Sequence, residues 1–171
     1  MRQMRFFGLV AGVAAVALGL GAVALAGGDR RPRPVDVRAG GEQVRASQGS
    51  WCYSGPRTGI CADYGYPLRV RGRLDVAPGQ RIKLRMHDRS IKRLSASLLK
   101  VRDGEIDQRV ALTRIRRAPN NPRAWRATIP ADAADANRLD ISVRYKRNRG
   151  DSNWWAGIRL AGQGESRGAR I

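Results

Sequence analysis

The residue types best suited to metal or thiol chemistry are two cysteines, Cys52 and Cys61, and a single histidine, His87. Zinc sites usually take four Cys or His ligands at short spacings, so these three side chains do not complete one. A redox motif reads C-x-x-C, whereas eight residues separate these cysteines. A catalytic thiol needs a partner base, and the only imidazole stands at the end of a predicted strand, on its Arg-bearing face. We therefore predict no catalytic residue, no metal site and no cofactor.

The residues between the cysteines favour a structural disulfide. Gly55, Pro56 and Gly59 allow the chain to turn back, and an even number of cysteines in an exported chain normally ends in pairing. Closing a loop of about ten residues removes unfolded-chain entropy worth roughly 2.5–3 kcal/mol. The expected role of Cys52 and Cys61 is a clasp between two segments.

Carboxylates cluster in two places: Asp103, Glu105 and Asp107, which are the only candidate acids for a hydrolase, and Asp132 and Asp135. Glycosidases need two carboxyl groups about 5–10 Å apart across a cleft, and both groups stand in turn-like, Gly- or Ala-rich contexts. The chain has no G-x-S-x-G elbow and no phosphate-binding or dinucleotide-binding loop. We interpret these acids as hairpin-turn residues; a hydrolase using the first group remains an alternative.

A candidate ligand patch combines aromatic and cationic side chains near the C-terminus: Arg144, Tyr145, Trp155 and Arg159. Aromatic platforms beside cations bind sugars, nucleobases and anionic polymers. Trp154 and Trp155 face opposite sides of a strand, so only one of them is a candidate for exposure. The alternative is one core tryptophan and one packed beneath Arg side chains.

The chain alternates between apolar and polar residues in several short segments, which predicts an all-β fold. Clear examples are "RIKLRMH", "NPRAWRATIP", "LDISVRYKR" and "WWAGIRL", in which every second residue is apolar. Their expected inward residues are Ile82, Leu84, Met86, Trp125, Ala127, Ile129, Leu139, Ile141, Val143, Tyr145, Trp154, Ala156, Ile158 and Leu160. Turn signals such as "APGQ" and "APNNP" separate the segments. About 7–8 short strands with such spacing predict a single antiparallel β-sandwich, with a barrel as the alternative.

Composition divides the chain into four predicted parts. Residues 1–28 carry an uncharged apolar run and "ALA", which fit either a cleaved signal peptide or an N-terminal hydrophobic helix that anchors the domain outside the membrane. Residues 29–49 are expected to form an Arg/Pro/Gly-rich flexible linker. Residues 50–162 are expected to form the sandwich, and 163–171 a disordered basic tail.

The charge predicts anionic partners. The chain has 33 Lys and Arg against 14 Asp and Glu, a formal charge of +19, and all but four of the basic residues are Arg. Such a surface attracts nucleic acid, anionic lipid headgroups and acidic wall polymers. Export favours the envelope polyanions over nucleic acid, and the membrane is a further partner if residues 1–28 are retained. A compositional Arg bias that serves solubility is the alternative.

The stretch "GSWCYSGPRTGICADYGYP", with "VAPGQRIKLRM" and "NWWAGIRL" further on, resembles a group of exported bacterial proteins of unassigned function. The residues that carry the resemblance are Gly49, Ser50, Trp51, Cys52, Tyr53, Cys61, Asp63 and Tyr64. The resemblance implies a single immunoglobulin-like β-sandwich at or beyond the cell surface. Many members carry a lipoprotein cysteine that this chain lacks, and the resemblance implies no catalytic residue.

Together these observations favour an exported, non-enzymatic envelope module, either a binding or a structural one. Its Arg-rich surface would suit anionic lipids or wall polymers. The alternatives are an envelope-acting hydrolase and, if the domain were cytoplasmic, a basic nucleic-acid-binding protein.

Overall fold

The computed structural model describes residues 31–54, 59–64, 69–133 and 135–161. The predicted signal or anchor (1–28) and basic tail (163–171) lie outside the described residues. Twelve strands are present in the described part of the chain. They are β1 (Val35–Ala39), β2 (Glu42–Arg45), β3 (Ser47–Ser54), β4 (Gly59–Ala62), β5 (Arg73–Val76), β6 (Arg81–Met86), β7 (Ile91–Arg102), β8 (Glu105–Ala111), β9 (Thr113–Ala118), β10 (Asn121–Thr128), β11 (Arg138–Tyr145) and β12 (Gly150–Leu160).

The strands form two sheets, which confirms the all-β, antiparallel two-sheet prediction. The five-stranded sheet has the order β2-β1-β6-β10-β9 and is antiparallel throughout. The seven-stranded sheet has the order β4-β3-β12-β11-β7-β8. Its remaining strand, β5, pairs with β12 in parallel. The strand count exceeds the predicted 7–8 because short edge strands and the region before Ser50 also pair.

The core lies between the two sheets and is built by alternation along the strands. All the residues that the sequence predicts to point inward are buried in one apolar cluster, to which both sheets contribute. In β6 the pattern is strict, since Ile82, Leu84 and Met86 are buried while Arg81, Lys83 and Arg85 between them are exposed. Full burial of one large aliphatic side chain stabilises the fold by about 1.5–3 kcal/mol. This alternation therefore fixes which side of each strand faces solvent.

The linker prediction for residues 29–49 is wrong from Val35 onward. Strand β1 buries Val35, Val37 and Ala39 in the core and pairs with β6. Its hairpin with β2 turns at Gly40, whose φ of +57° favours glycine. The five-residue strand lies between Pro- and Gly-rich segments, so the local composition resembles a linker. Pairing with β6, far along the sequence, makes it a strand.

Candidate anion-binding surface

The outer face of the five-stranded sheet carries a concentration of exposed cations. Because alternate residues of β1, β6 and β10 point into the core, the residues between them point to solvent. We call the exposed basic residues of β1, β6, β9 and β10 the cationic face: Arg38, Arg81, Lys83, Arg85, Arg114, Arg116 and Arg126. Among the described residues, no carboxylate forms an ion pair with any of the seven.

The strand register aligns four of these cations in one row. Arg38 on β1 lies opposite Lys83 on β6, which lies opposite Arg126 on β10, which in turn lies opposite Arg116 on β9. Neighbouring strands are about 4.8 Å apart, so the row crosses the sheet over roughly 14–15 Å. Like charges placed directly opposite one another destabilise a sheet. The row is thus an unfavourable arrangement for the folded chain by itself.

The single carboxylate on the neighbouring row is Asp36, and it is already engaged. Its side chain is 5% exposed, with Oδ1 3.2 Å from Nε of Arg45 and Oδ2 2.8 Å from Nε2 of His87. Burial raises the pKa of Asp36, but the hydrogen bonds and charges of His87 and Arg45 outweigh burial and bring this pKa below its usual value. Asp36 therefore neutralises its own partners and not the row.

A depression of about 480 Å³ opens on the cationic face beside this row. A register shift between Asn121 and Trp125 interrupts the β9–β10 ladder, so Ala124 has no paired residue on β9. Four cations border the depression, and the turn of residues 118–121 borders it at the β9–β10 end. The four cations are Arg38, Lys83, Arg85 and Arg126.

Beside the depression, which Trp125 also lines, a cation–π contact ties β9 to the core. The guanidinium carbon of Arg117 lies 4.9 Å from the centre of the Trp125 ring. The same guanidinium donates to the carbonyl oxygen of Ile91 on β7, in the other sheet, at 2.9 Å. Arg117 thus contributes to sheet packing, unlike the outward-facing Arg116 beside it.

The predicted patch of Arg144, Tyr145, Trp155 and Arg159 does not form one exposed surface. Tyr145 is 2% exposed in the core, where its hydroxyl lies 2.8 Å from Oγ of Ser152, and burial raises its pKa to about 12. Trp155 is 7% exposed. Arg144 and Arg159 are exposed, but neither tyrosine nor tryptophan beside them offers a free ring face.

The packing of Trp155 explains its burial. A Cβ atom at Gly49 would lie 2.5 Å from Nε1 of Trp155, so the indole occupies space that only glycine leaves open. Trp154, by contrast, belongs to the core cluster, so the two tryptophans lie on opposite sides of β12.

Cys52 and Cys61 form a disulfide, as predicted. The two residues lie directly opposite each other on β3 and β4, at one edge of the seven-stranded sheet. Such bonds persist in oxidising compartments.

The carboxylates of the first candidate acid group lie on the hairpin of β7 and β8. The exposed Asp107 has an oxygen 3.7 Å from Nζ of Lys100 and another contact of 3.9 Å to Nε of Arg102. Asp135, from the second group, lies 3.0 Å from the same Lys100 nitrogen. Within the described ranges, no group of three His, Cys, Asp or Glu side chains is arranged to hold a metal ion.

The sequence gives no sign of a buried ion pair that links β11 and β8. Asp140 on β11 is 4% exposed, and its Oδ2 lies 2.8 Å from Nη1 of Arg109 on β8. Its other oxygen has no hydrogen-bond partner among the described residues. Burial raises the pKa of Asp140, and the bond to Arg109 only partly opposes this. A polar residue between Leu139 and Ile141 reads as an ordinary solvent-facing position, so only the fold reveals the pair.

No protein-family model matches this chain, and comparisons with curated proteins and with solved structures give no match. In the part of the chain that the structure describes, no helix has the length and apolar character to cross a membrane.

Proposed function

We propose that this protein is an exported, non-enzymatic module of the cell envelope whose cationic face binds an anionic polymer. The observation that carries the proposal is the row of Arg38, Lys83, Arg126 and Arg116, which lie opposite one another and form no ion pair with a carboxylate of the described residues. An anionic ligand would supply the missing counter-charges. The resemblance to exported bacterial proteins and the immunoglobulin-like classification are part of the same proposal, supported by two antiparallel sheets and the disulfide.

The charge of the cationic face would suit either an anionic polymer or an anionic membrane. The positions of the exposed hydrophobic side chains favour the polymer. The large hydrophobic residues that are exposed in the described chain are Ile60, Tyr64 and Ile106. Ile60 and Ile106 belong to β4 and β8 of the other sheet, and Tyr64 follows β4. Among the described residues, the cationic face therefore carries no large exposed hydrophobic side chain to insert between lipids, as interfacial membrane binders have.

Charge reversal on matched pairs tests the proposal. The Lys83→Glu/Arg126→Glu variant reverses two opposed cations on the cationic face. The control, Arg93→Glu/Arg144→Glu, reverses two exposed opposed cations on the seven-stranded sheet and changes the net charge by the same amount. We would measure affinity for poly(glycerol phosphate) and polygalacturonate by calorimetry, using the full-length protein at two salt concentrations.

The cationic-face variant should lose roughly 30-fold or more in affinity, since each cation near an anionic surface contributes about 1 kcal/mol. The control should lose less than about threefold, and binding by the native protein should weaken with added salt. Equal losses in both variants would overturn the proposal in favour of non-specific charge. Binding to phosphatidylglycerol vesicles but to neither polymer would replace the polymer with a membrane.

A further inference from the structure

We infer that the depression above Ala124 seats one phosphorylated polyol or sugar unit of the polymer. This inference rests on the proposed function and adds a subsite to it. The polymer would then be a phosphodiester chain, rather than one whose charges are carboxylates. The rest of the cationic face would hold the neighbouring repeats.

The shape of the depression comes from the strand register. Ala124 pairs with Arg85 on β6, but the shift between Asn121 and Trp125 leaves Ala124 unpaired on the β9 side. Bulges of this kind recur beside binding sites because they interrupt a ladder and make space. The small side chain of Ala124 keeps that space open. The volume of about 480 Å³ exceeds the needs of a bare phosphate and falls in the range of small-molecule sites, about 300–1,000 Å³.

The groups around the depression suit a phosphate joined to hydroxyl-bearing carbons. Arg38, Arg85 and Arg126 offer guanidinium groups, which bind phosphate oxygens in a bidentate manner, and Lys83 adds a point charge. Asn120 and Asn121 also line the depression. Oδ1 of Asn121 accepts a hydrogen bond from the backbone N–H of Arg123 at 3.0 Å. The amide nitrogen of Asn121 takes no part in that bond and can act as a donor to a ligand.

A chain that leaves the depression meets further cations. Arg126 also borders a second, much smaller hollow of about 10 Å³, whose other charged neighbours are Arg81, Arg114 and Arg116. That hollow is too small for a polyol unit, but its guanidinium groups can contact the next phosphate from the surface. The two hollows share Arg126, so successive charges of one polymer can be bound on the same face.

The test fills the depression without changing charge. Ala124→Phe places a ring above β10, and Ala111→Phe is the matched control, at an exposed alanine on β8 of the other sheet. The probes are a short oligo(glycerol phosphate), polygalacturonate, dextran sulfate and glycerol 3-phosphate. Thermal unfolding of each variant checks that it folds.

Ala124→Phe should weaken oligo(glycerol phosphate) binding by about tenfold and leave dextran sulfate within about twofold, because only the former needs the depression. Ala111→Phe should change neither. Unchanged affinity for the oligomer in Ala124→Phe would overturn the inference, and so would an equal loss for both probes or a native preference for polygalacturonate. Binding of glycerol 3-phosphate as tight as the oligomer would assign the site to a free phosphomonoester instead.

A second pair of variants keeps the inference testable if Ala124→Phe does not fold. Arg85→Gln removes a cation that borders only the large depression, and Arg81→Gln removes one that borders only the small hollow. Arg85→Gln should reduce oligomer affinity at least threefold more than Arg81→Gln, and equal effects would contradict the subsite. If the Lys83→Glu/Arg126→Glu variant also retains binding, the proposed function itself fails, whereas its loss beside an unaffected Ala124→Phe removes only the subsite.

Discussion

The two sheets differ in how many acidic residues accompany their basic residues. The strands of the five-stranded sheet contain ten basic and two acidic residues, and those of the seven-stranded sheet contain nine basic and five acidic residues. On the larger sheet Arg144 lies opposite Asp151, and Arg159 lies 3.4 Å from Asp75. On the smaller sheet Lys83 lies between two arginines. The basic residues of the larger sheet are therefore partly compensated by acids, although Arg144 also lies opposite Arg93, whereas those of the smaller sheet have fewer acids beside them, which a uniform compositional bias does not explain.

Each sheet also holds one buried carboxylate, and the two differ in their partners. Asp36 in the smaller sheet contacts two basic side chains, and its pKa is lowered. Asp140 in the larger sheet forms an ion pair with Arg109 alone among the described residues, and its pKa is raised. For Asp36 the two partners outweigh the cost of burial, whereas Asp140 lies deeper in the protein and the single bond to Arg109 does not outweigh that cost. The difference between the two sites can therefore be measured as a difference in how stability depends on pH.

Replacing Asp36 should have the largest effect on stability. Asp36→Asn removes the charge from two hydrogen bonds, and bonds to charged groups each contribute about 1.5–3 kcal/mol. We expect the variant to lose about 2–3 kcal/mol of unfolding free energy at pH 7. Because the folded-state pKa lies below the unfolded value of about 3.9, this stability is complete above pH 4 and is lost as pH falls through the folded pKa.

Urea unfolding of both proteins between pH 3 and 7 would check this. The difference between wild type and Asp36→Asn should shrink towards pH 3. A constant difference across that range would mean that the loss comes from packing and that the ion pairs of Asp36 contribute little.

The alternation of β6, β10, β11 and β12 was predictable because burial acts along each strand separately. The sequence shows that Ile82 and Leu84 point one way and Lys83 the other, and the structure agrees. The row of cations was not predictable, because it depends on register between strands that are distant in sequence. Nothing in the residues around Val37 indicates that it pairs with Leu84.

The predicted ligand patch failed to form an exposed platform for a related reason. Alternation correctly separates Trp155 from the core side of β12, but it cannot tell what lies on the other side. There the backbone at Gly49 and the register of β3 leave room for the indole. The acid that pairs with His87 was also hidden, since Asp36 lay in the predicted linker.

Replacing Asp140 should have a smaller effect and the opposite pH dependence. A buried ion pair is often no more stable than a neutral substitute, and Arg109 is 51% exposed, so water can solvate it in the variant. We expect Asp140→Asn to equal the wild type or exceed it by about 1 kcal/mol at pH 7. The raised folded-state pKa means that the contribution of Asp140 is complete below the unfolded pKa and is lost as pH rises through the folded value.

The same urea measurements distinguish the two carboxylates. As pH falls from 7 to 3, the unfolding free energy of the wild type should rise relative to that of Asp140→Asn. Over the same range it should fall towards that of Asp36→Asn. Parallel behaviour of the two variants would show that the number of cationic partners does not control these sites.

The smallest expected change is the most direct test of whether the cation row is maintained at the expense of stability. Lys83→Gln removes a charge that lies opposite Arg38 and Arg126, and opposed like charges destabilise a sheet by a few tenths of a kcal/mol each. The variant should therefore be about 0.5 kcal/mol more stable than the wild type in low salt, yet bind poly(glycerol phosphate) more weakly. The gain should disappear near 1 M salt, where screening acts within about 3 Å, whereas a change in strand propensity would persist. Arg159→Gln is the control, since its cation lies 3.4 Å from Asp75 and its removal should give no gain. Denaturation of the two variants in low and high salt measures this, and an equal gain in both would mean that general charge repulsion, and not the row, is responsible.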